Sequence, residues 1–289
     1  MKEAGPQDAP DIARLMDLSR KGWTGYTAAR PQEIEHSLKT GELKVYLKED
    51  SGLLEVYHRE NAQQIICMYP YRHPQAPEHM EDDLIAFAKQ LSVARHIPLE
   101  ISVPHTRERE IEKLIAQGYV HSRTFYRMFL KGTALSSMQK PELPAGWEFR
   151  TITAQEFLPL HNDAFRTHYG FSPMTLKTVE SWYSEPDFRA EDWQALFVHG
   201  KPVSYFSIGK QEDGGHVYLL GTVREAQGQG YGRIALRQAC ALLKDRGVDR
   251  IQLGVDTGNE NALEFYKRIG FEVAYANLRY RYEPKTLTL

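Results

Sequence analysis

Six residues near the C-terminus, Gln227-Gly228-Gln229-Gly230-Tyr231-Gly232, have the composition of an anion-binding loop. Ahead of them Val217-Tyr218-Leu219-Leu220 reads as a buried strand. Behind them Arg233 to Arg246 carries Ile234, Ala235, Ala239, Leu242 and Leu243 at helical spacing. A strand, a glycine-rich turn and a helix N-terminus can together hold a phosphate. The first N–H groups of a helix lack intrahelical acceptors, and the helix dipole favours negative charge there. Glycine lets the backbone approach the anion without an intervening Cβ. A P-loop is excluded because no Lys-Ser or Lys-Thr follows these glycines. A dinucleotide-binding loop is excluded because the glycines alternate instead of following Gly-x-Gly-x-x-Gly at the start of a βαβ unit. A pyrophosphate site is the expectation.

A second pattern follows, Asn259-Glu260-Asn261-Ala262-Leu263-Glu264-Phe265-Tyr266-Lys267-Arg268-Ile269-Gly270-Phe271. The first stretch, Val223 to Arg233, resembles the Gln/Arg-x-x-Gly-x-Gly coenzyme A loop of the GNAT N-acetyltransferases. The second resembles that family's Asn-x-x-Ala-x-x-x-Tyr-x-x-x-Gly-Phe signature, at the expected distance. The resemblance covers about 147 to 283 and implies a mixed sheet that splays between its fourth and fifth strands, with the pantetheine arm in the splay. It implies acetyl-CoA as cosubstrate and direct transfer to a primary amine. Gly221, Thr222 and Val223 would bind pantetheine and polarise the carbonyl through backbone N–H groups. Gln227, Gly228, Gln229, Gly230, Tyr231, Gly232 and Arg233 would hold the pyrophosphate. Asn259 would hydrogen-bond the pantetheine, with Ala262 also at the cofactor, although an Asn before a helix is also an ordinary N-cap. Tyr266 would give the leaving thiolate its proton; its alternative role is a buried aromatic beside Leu263.

The amine must lose a proton as it attacks. Members of this family often place a carboxylate at the start of the strand before the loop, and this chain has His216 there. With an ordinary pKa near 6.5, a histidine can accept a proton near neutrality; a water as base, with His216 as a solvated turn residue, is the other reading. His161 and His168 lack metal-ligand spacing and read as surface residues, and no metal is expected. The acceptor region is Phe165 to Trp193, with Phe165, His168, Tyr169, Phe171, Trp182, Tyr183 and Trp193, which could form core or line a cleft for a flat amine. Glu180, Glu185, Asp187, Glu191 and Asp192 could attract a cation or form a solvated face.

Two α/β domains must position these groups. The chain has 289 residues, 42% of them hydrophobic, and a formal net charge of -2. Nothing in this balance points to nucleic acid, and no apolar run spans a membrane. The start, Met1 to Pro6, lacks a signal-peptide core, so a cytoplasmic protein is expected. Cys67 and Cys240 read as small buried hydrophobes. The first half opens with a helix after Asp8-Ala9-Pro10-Asp11, and the second with strand Trp147 to Arg150 and a Thr153–Glu156 capping box. The endings correspond: Leu99 to Val103, a helix to Ile115, Gly118-Tyr119 and a last strand Phe125 to Leu130, against Arg250 to Val255, a helix to Ile269, Gly270-Phe271 and a last strand Leu278 to Tyr282. A period of roughly 145 residues is a domain duplication.

The expected fold is therefore α/β with a mixed sheet, a tandem duplication of the GNAT fold. Residues 1–132 form a degenerate domain, 133–146 a linker and 147–289 the catalytic domain. The degeneracy is chemical: Pro70, Pro74 and Pro77 stand where the glycines would be, and Leu114 stands where Tyr266 would be. This layout looks most like the mycothiol synthase branch of the family. The expected partner is a small-molecule amine, with no nucleic acid and no membrane, in a monomer with an internal pseudo-dimer or in a homodimer. The rival functions are a non-catalytic coenzyme-A-binding sensor or partner-binding protein, and a protein lysine or N-terminal acetyltransferase.

Overall fold

Thr153 and Glu156 form the reciprocal cap that their spacing predicts: Thr153 Oγ1 accepts from Glu156 N–H at 3.2 Å, and Glu156 Oε2 accepts from Thr153 N–H at 2.9 Å. The cap satisfies two N–H groups that a helix start leaves without partners. The computed structural model describes residues 1–57, 63–185 and 188–284. Its elements begin with β1 (Lys2–Glu3), α1 (Ala9–Arg20), α2 (Pro31–Thr40), β2 (Leu43–Lys48), β3 (Gly52–Tyr57), β4 (Ile65–Met68), β5 (Tyr71–Arg72), α3 (His79–Arg95), β6 (Leu99–Pro104) and α4 (Glu108–Ala116). They continue with β7 (Val120–Lys131), α5 (Gly132–Ser136), β8 (Trp147–Thr151), α6 (Ala154–Phe165), α7 (Leu176–Tyr183), β9 (Trp193–Val198) and β10 (Lys201–Gln211). Then come β11 (Gly214–Thr222), α8 (Tyr231–Asp245), β12 (Arg250–Asp256), α9 (Glu260–Ile269) and β13 (Glu272–Tyr282). The series α1-α2-β2-β3-β4-α3-β6-α4 is repeated by α6-α7-β9-β10-β11-α8-β12-α9, as the sequence repeat implies.

The chain forms two units, Met1–Phe125 with the chain from Tyr275 onward, and Tyr126–Ala274. The first unit has strand order β1-β2-β3-β4-β6-β13, with β5 on β3; β4 and β6 are parallel, and β13 pairs antiparallel with β6 from Asn277↔Pro104 to Tyr282↔Leu99. The second has the order β7-β12-β11-β10-β9-β8, with β11 and β12 parallel. The boundaries thus depart from the sequence reading in two places. Each half gives its expected last strand to the other unit: most of β13 belongs to the first, and Tyr126–Lys131 to the second. Period-two alternation fixes which face of a strand is buried and leaves open which sheet edge receives it. The stretch expected as a linker also belongs to the second unit. Leu135 is buried there, and Lys244 Nζ donates to the carbonyls of Ser136, at 3.2 Å, and of Met138.

The second unit has a core on each sheet face. Phe206, Ile208, Val217, Ile251 and Leu253 pack with Ala235, Ala239 and Leu243 of α8. Ala195, Phe197 and Tyr205 pack with Phe157 and Leu160 of α6 and Val179 of α7. Phe157 is fully buried, which contributes about 1.5–3 kcal/mol relative to leaving it exposed. Cys67 and Cys240 are both buried and unpaired. No helix among the described residues is long and apolar enough to cross a membrane.

Candidate functional site

β11 is held on one edge and released on the other. Its antiparallel pairing with β10 runs from Gln211↔Gly214 to Ser204↔Thr222, with a register shift between Ser207↔Leu219 and Ile208↔Val217. Its parallel pairing with β12 covers only Gly215↔Ile251 and His216↔Gln252. Among the described residues the pairing with β12 ends at His216, and the β11 edge from Leu219 to Thr222 has no strand pairing on that side. The splay expected between these strands is present.

The glycine loop leads from that edge into α8. Gly228 and Gly230 have φ of 77° and 87°, a conformation costly for a side chain, and Gly230 is the N-cap with no side-chain hydrogen bond to the helix. The first turn of α8 carries no acidic residue. Among the described residues, the N–H groups of Gly228, Gln229 and Gly230 donate to no other backbone group. Gln227 Nε2 donates to Thr222 O at 3.1 Å and Gln229 Nε2 to Glu225 O at 3.0 Å, so both glutamines brace the loop itself. A Cβ on Gly232 would lie 3.1 Å from Thr222 Oγ1, so this glycine keeps helix and strand close. Tyr231 packs on Trp147 at 5.2 Å between ring centroids, and Arg233 is exposed.

Three strand-end residues are more engaged than the sequence suggests. The Val223 N–H donates to Val203 O at 3.0 Å and is not free for a ligand. The Gly221 carbonyl accepts from Ser204 Oγ at 2.7 Å, and a Cβ on Gly221 would meet the Tyr205 ring at 2.5 Å. Thr222 pairs its hydroxyl with Ser204 at 3.1 Å. Asp163, which the sequence did not single out, accepts from the Arg224 N–H at 2.8 Å and pins the turn before the loop. A lone carboxylate on a helix gives no sequence signal for that contact.

On α9, Asn259 is the N-cap, its Oδ1 accepting from the Ala262 N–H at 3.1 Å, while its amide nitrogen stands 3.3 Å from His168 Nε2. Tyr266 is half-buried against the α8-side core, near Phe265 and Phe271. Burial, with a smaller contribution from Cys240, raises its pKa to about 12. The phenol thus stays protonated at physiological pH.

His216 sits at the last β11–β12 pair. Its Nε2 lies 2.7 Å from Asp213 Oδ1, and Gln252 Nε2 donates to Asp213 Oδ2 at 2.6 Å. Burial lowers the His216 pKa, Asp213 raises it, and Arg127 and Arg250 lower it, for a net direction below the ordinary imidazole value. A weakly basic ring that stays neutral near pH 7 can accept a proton.

The acceptor region resolves into core and surface. Trp182, Tyr183 and Trp193 cluster around Phe157, with Phe165 packed against the same core. His168 and Tyr169 are exposed, and Phe171 is half-buried. His161 is not a surface residue: it is 5% exposed, stacked on Phe165 and hydrogen-bonded to Tyr205 at 2.9 Å. It faces the sheet from α6, which heptad spacing to an exposed His168 obscured. Among the acidic residues, Glu191 pairs with Arg189 and buried Asp192 with Arg246, while Asp187 lies outside the described residues. Among the described residues no group of three or more His, Cys, Asp or Glu is placed to hold a metal.

Residues 154–271, all within the second unit, match the family described as Acetyltransferase (GNAT) family. The chain is 29% identical over 180 residues to a mycothiol acetyltransferase of Kytococcus sedentarius, and the match covers 57% of this chain and 59% of that protein. It is 30% identical over 175 residues to the mycothiol acetyltransferase of Kineococcus radiotolerans, covering 58% and 56%. These matches span somewhat over half the length of the curated relatives. The fold is similar to a GCN5-related N-acetyltransferase from Sphaerobacter thermophilus, with TM-score 0.72 at 20% identity over 99% of this chain and 95% of that one. It is also similar to a tandem GNAT protein from the clavulanic acid biosynthesis pathway, with TM-score 0.75 at 15% identity over 98% of each.

Proposed function

We infer that this chain, a GNAT protein of the tandem type, transfers an acetyl group from acetyl-CoA to a primary amine at one working site, in the second unit. The observation that carries the reading is the coincidence of two openings: the end of the β11–β12 register at His216↔Gln252, which leaves the β11 edge at Leu219 to Thr222 off that ladder, and the α8 N-terminus capped by glycine alone. The residues fit the donor. The loop N–H groups from Gly228 to Gly232 would hold the pyrophosphate, with Arg233 adding positive charge. The open β11 edge would take the pantetheine arm as an added strand and polarise the thioester carbonyl. Asn259 and Ala262 would border that arm at the start of α9.

The neutral amine attacks the thioester carbon, and its lone pair becomes the new N–C bond. As the C–S bond breaks, its electron pair leaves on sulfur, where Tyr266 supplies a proton. His216, or a water, takes the proton that the amine nitrogen sheds. A small-molecule acceptor is favoured because the relatives are named mycothiol acetyltransferases.

Calorimetric titration of acetyl-CoA tests the reading. One site per chain is expected, abolished by Gly230→Asp, which would place a strained side chain and a negative charge where the diphosphate should sit. Two equivalent sites would break the one-site assignment. No binding at all would sink the transferase reading.

A further inference from the structure

The hydrogen-bond geometry around His216 defines how a base would be made there, granting the function inferred above. Asp213 Oδ1 stands 2.7 Å from His216 Nε2. Burial pushes the Asp213 pKa up, but hydrogen bonds from His216 and Gln252, with Arg250 nearby, outweigh it, and the carboxyl is held below its ordinary range. An ionised carboxylate only accepts, so Nε2 carries the proton in this contact, and a neutral ring must then hold its lone pair at Nδ1. Among the described residues Nδ1 has no hydrogen-bond partner.

β12 fixes the carboxylate. Gln252, 3% exposed, is paired in register with His216 and donates to Asp213 Oδ2 at 2.6 Å; its amide nitrogen also lies 2.9 Å from His216 Nε2, donor against donor, and the shorter, charge-assisted contact of Nε2 with the carboxylate outweighs it. Arg250 Nε donates to the Asp213 carbonyl at 2.5 Å, so β12 holds the turn by backbone and side chain. The ring faces away from α8. Side chains at Gly215 and Val217 point to that helix: a Cβ on Gly215 would meet Leu243 and Val248, and Val217 is in the α8-side core. His216 therefore shares the opposite face with Tyr218, 5.4 Å away between ring centroids, and with Leu219, which packs toward α6 and α7.

We propose that Asp213 and Gln252 are positioning residues that lock His216 as the Nε2–H tautomer, making Nδ1 the atom that accepts the amine proton. As the amine lone pair forms the N–C bond and the C–S electrons leave on sulfur, the nitrogen's proton passes to Nδ1. The resulting imidazolium keeps its Nε2–H on Asp213, now as a charge-assisted bond, and returns one proton to solvent. Asp213, Arg250 of β12, Arg127 of β7 and Tyr218 are the charged or titratable groups that face the ring.

Long-range proton–nitrogen NMR correlation of the imidazoles, with the His216 signals assigned by their loss in His216→Gln, reads the tautomer without turnover. The Nε2–H form is expected in the wild type, and the Nδ1–H form or a mixture in Asp213→Ala. The same variant should lose roughly tenfold in kcat, keep its affinity for acetyl-CoA, and move the acid limb of the kcat–pH profile to lower pH, because Asp213 raises the His216 pKa. Gln252→Leu should change the same readouts in the same direction by less, and it serves if Asp213→Ala does not fold. His216→Gln should lose on the order of a hundredfold in kcat. If His216→Gln keeps wild-type kcat, His216 is not the base, and this proposal falls while the acetyl-CoA site stands. If His216→Gln loses activity but Asp213→Ala keeps tautomer, pH limb and kcat, the positioning proposal alone is overturned.

Discussion

The two units build the same order of elements and treat one pair of strands in opposite ways. In the second unit β11 and β12 part after two residue pairs. In the first, β4 and β6 stay paired from Ile65↔Leu99 to Met68↔Ser102, and the Tyr69 N–H continues the closure on Ser102 O at 2.9 Å. The edge groups that a pantetheine arm would need are consumed inside the first sheet. The helix starts differ as well. α8 begins at a bare glycine cap. α3 begins below three prolines and carries its own anion: the Glu81 carboxylate, 4% exposed, binds Arg72, Arg109, Lys113 and the Tyr69 hydroxyl at 3.0 to 3.2 Å. A phosphate there would meet a site already neutralised from within. Leu114 is fully buried where the second unit presents the phenol of Tyr266. The same order of elements can thus hold one strand gap open above a bare helix terminus, or close the gap and fill the terminus.

The largest test of this contrast uses the exchanged strand. A chain ending at Lys131 lacks β13, whose Tyr280 lies in the core of the first unit, and leaves β6 with a bare edge. It should fail to fold and should aggregate on size-exclusion chromatography; a stable monomer would show that β7 can serve in place of β13. Next, Glu81→Ala should cost about 1.5–3 kcal/mol in denaturant unfolding by removing the acceptor shared by Arg72 and the buried Tyr69 hydroxyl, while Arg109 keeps Glu110 and Lys113 keeps Asp82, and it should not create a second acetyl-CoA site. A gain of binding there would mean that this carboxylate alone blocks the first unit. Smallest, Tyr266→Phe should lower kcat on the order of a hundredfold with unchanged acetyl-CoA affinity. Because its pKa is raised to about 12, its proton is present below that value and lost only above it, so removing the hydroxyl should leave the kcat–pH profile near neutrality unchanged in shape. A variant with full kcat would return Tyr266 to a packing role.

Much of the fold was legible because its signals are local. The Thr153–Glu156 cap, the alternating glycines before α8 and the Leu114–Tyr266 difference each depend on residues a turn or two apart. His161 misled for the converse reason: its burial comes from Phe165 on its own helix and Tyr205 on a distant strand, and only the latter explains a buried ring nitrogen. Asp213 and His216 are three residues apart, yet the spacing alone does not show that Gln252 and Arg250 fix their contact.

The sequence by itself determined the repeat, the element types and the glycine turn that opens α8, since backbone sterics and periodic burial act over short spans. Tertiary structure alone decided which unit receives β7 and β13, where β11 leaves β12, and which groups are already bonded. Those outcomes depend on hydrogen-bond partners far apart in the chain, and a strand's own residues carry no record of the neighbour that will satisfy its edge.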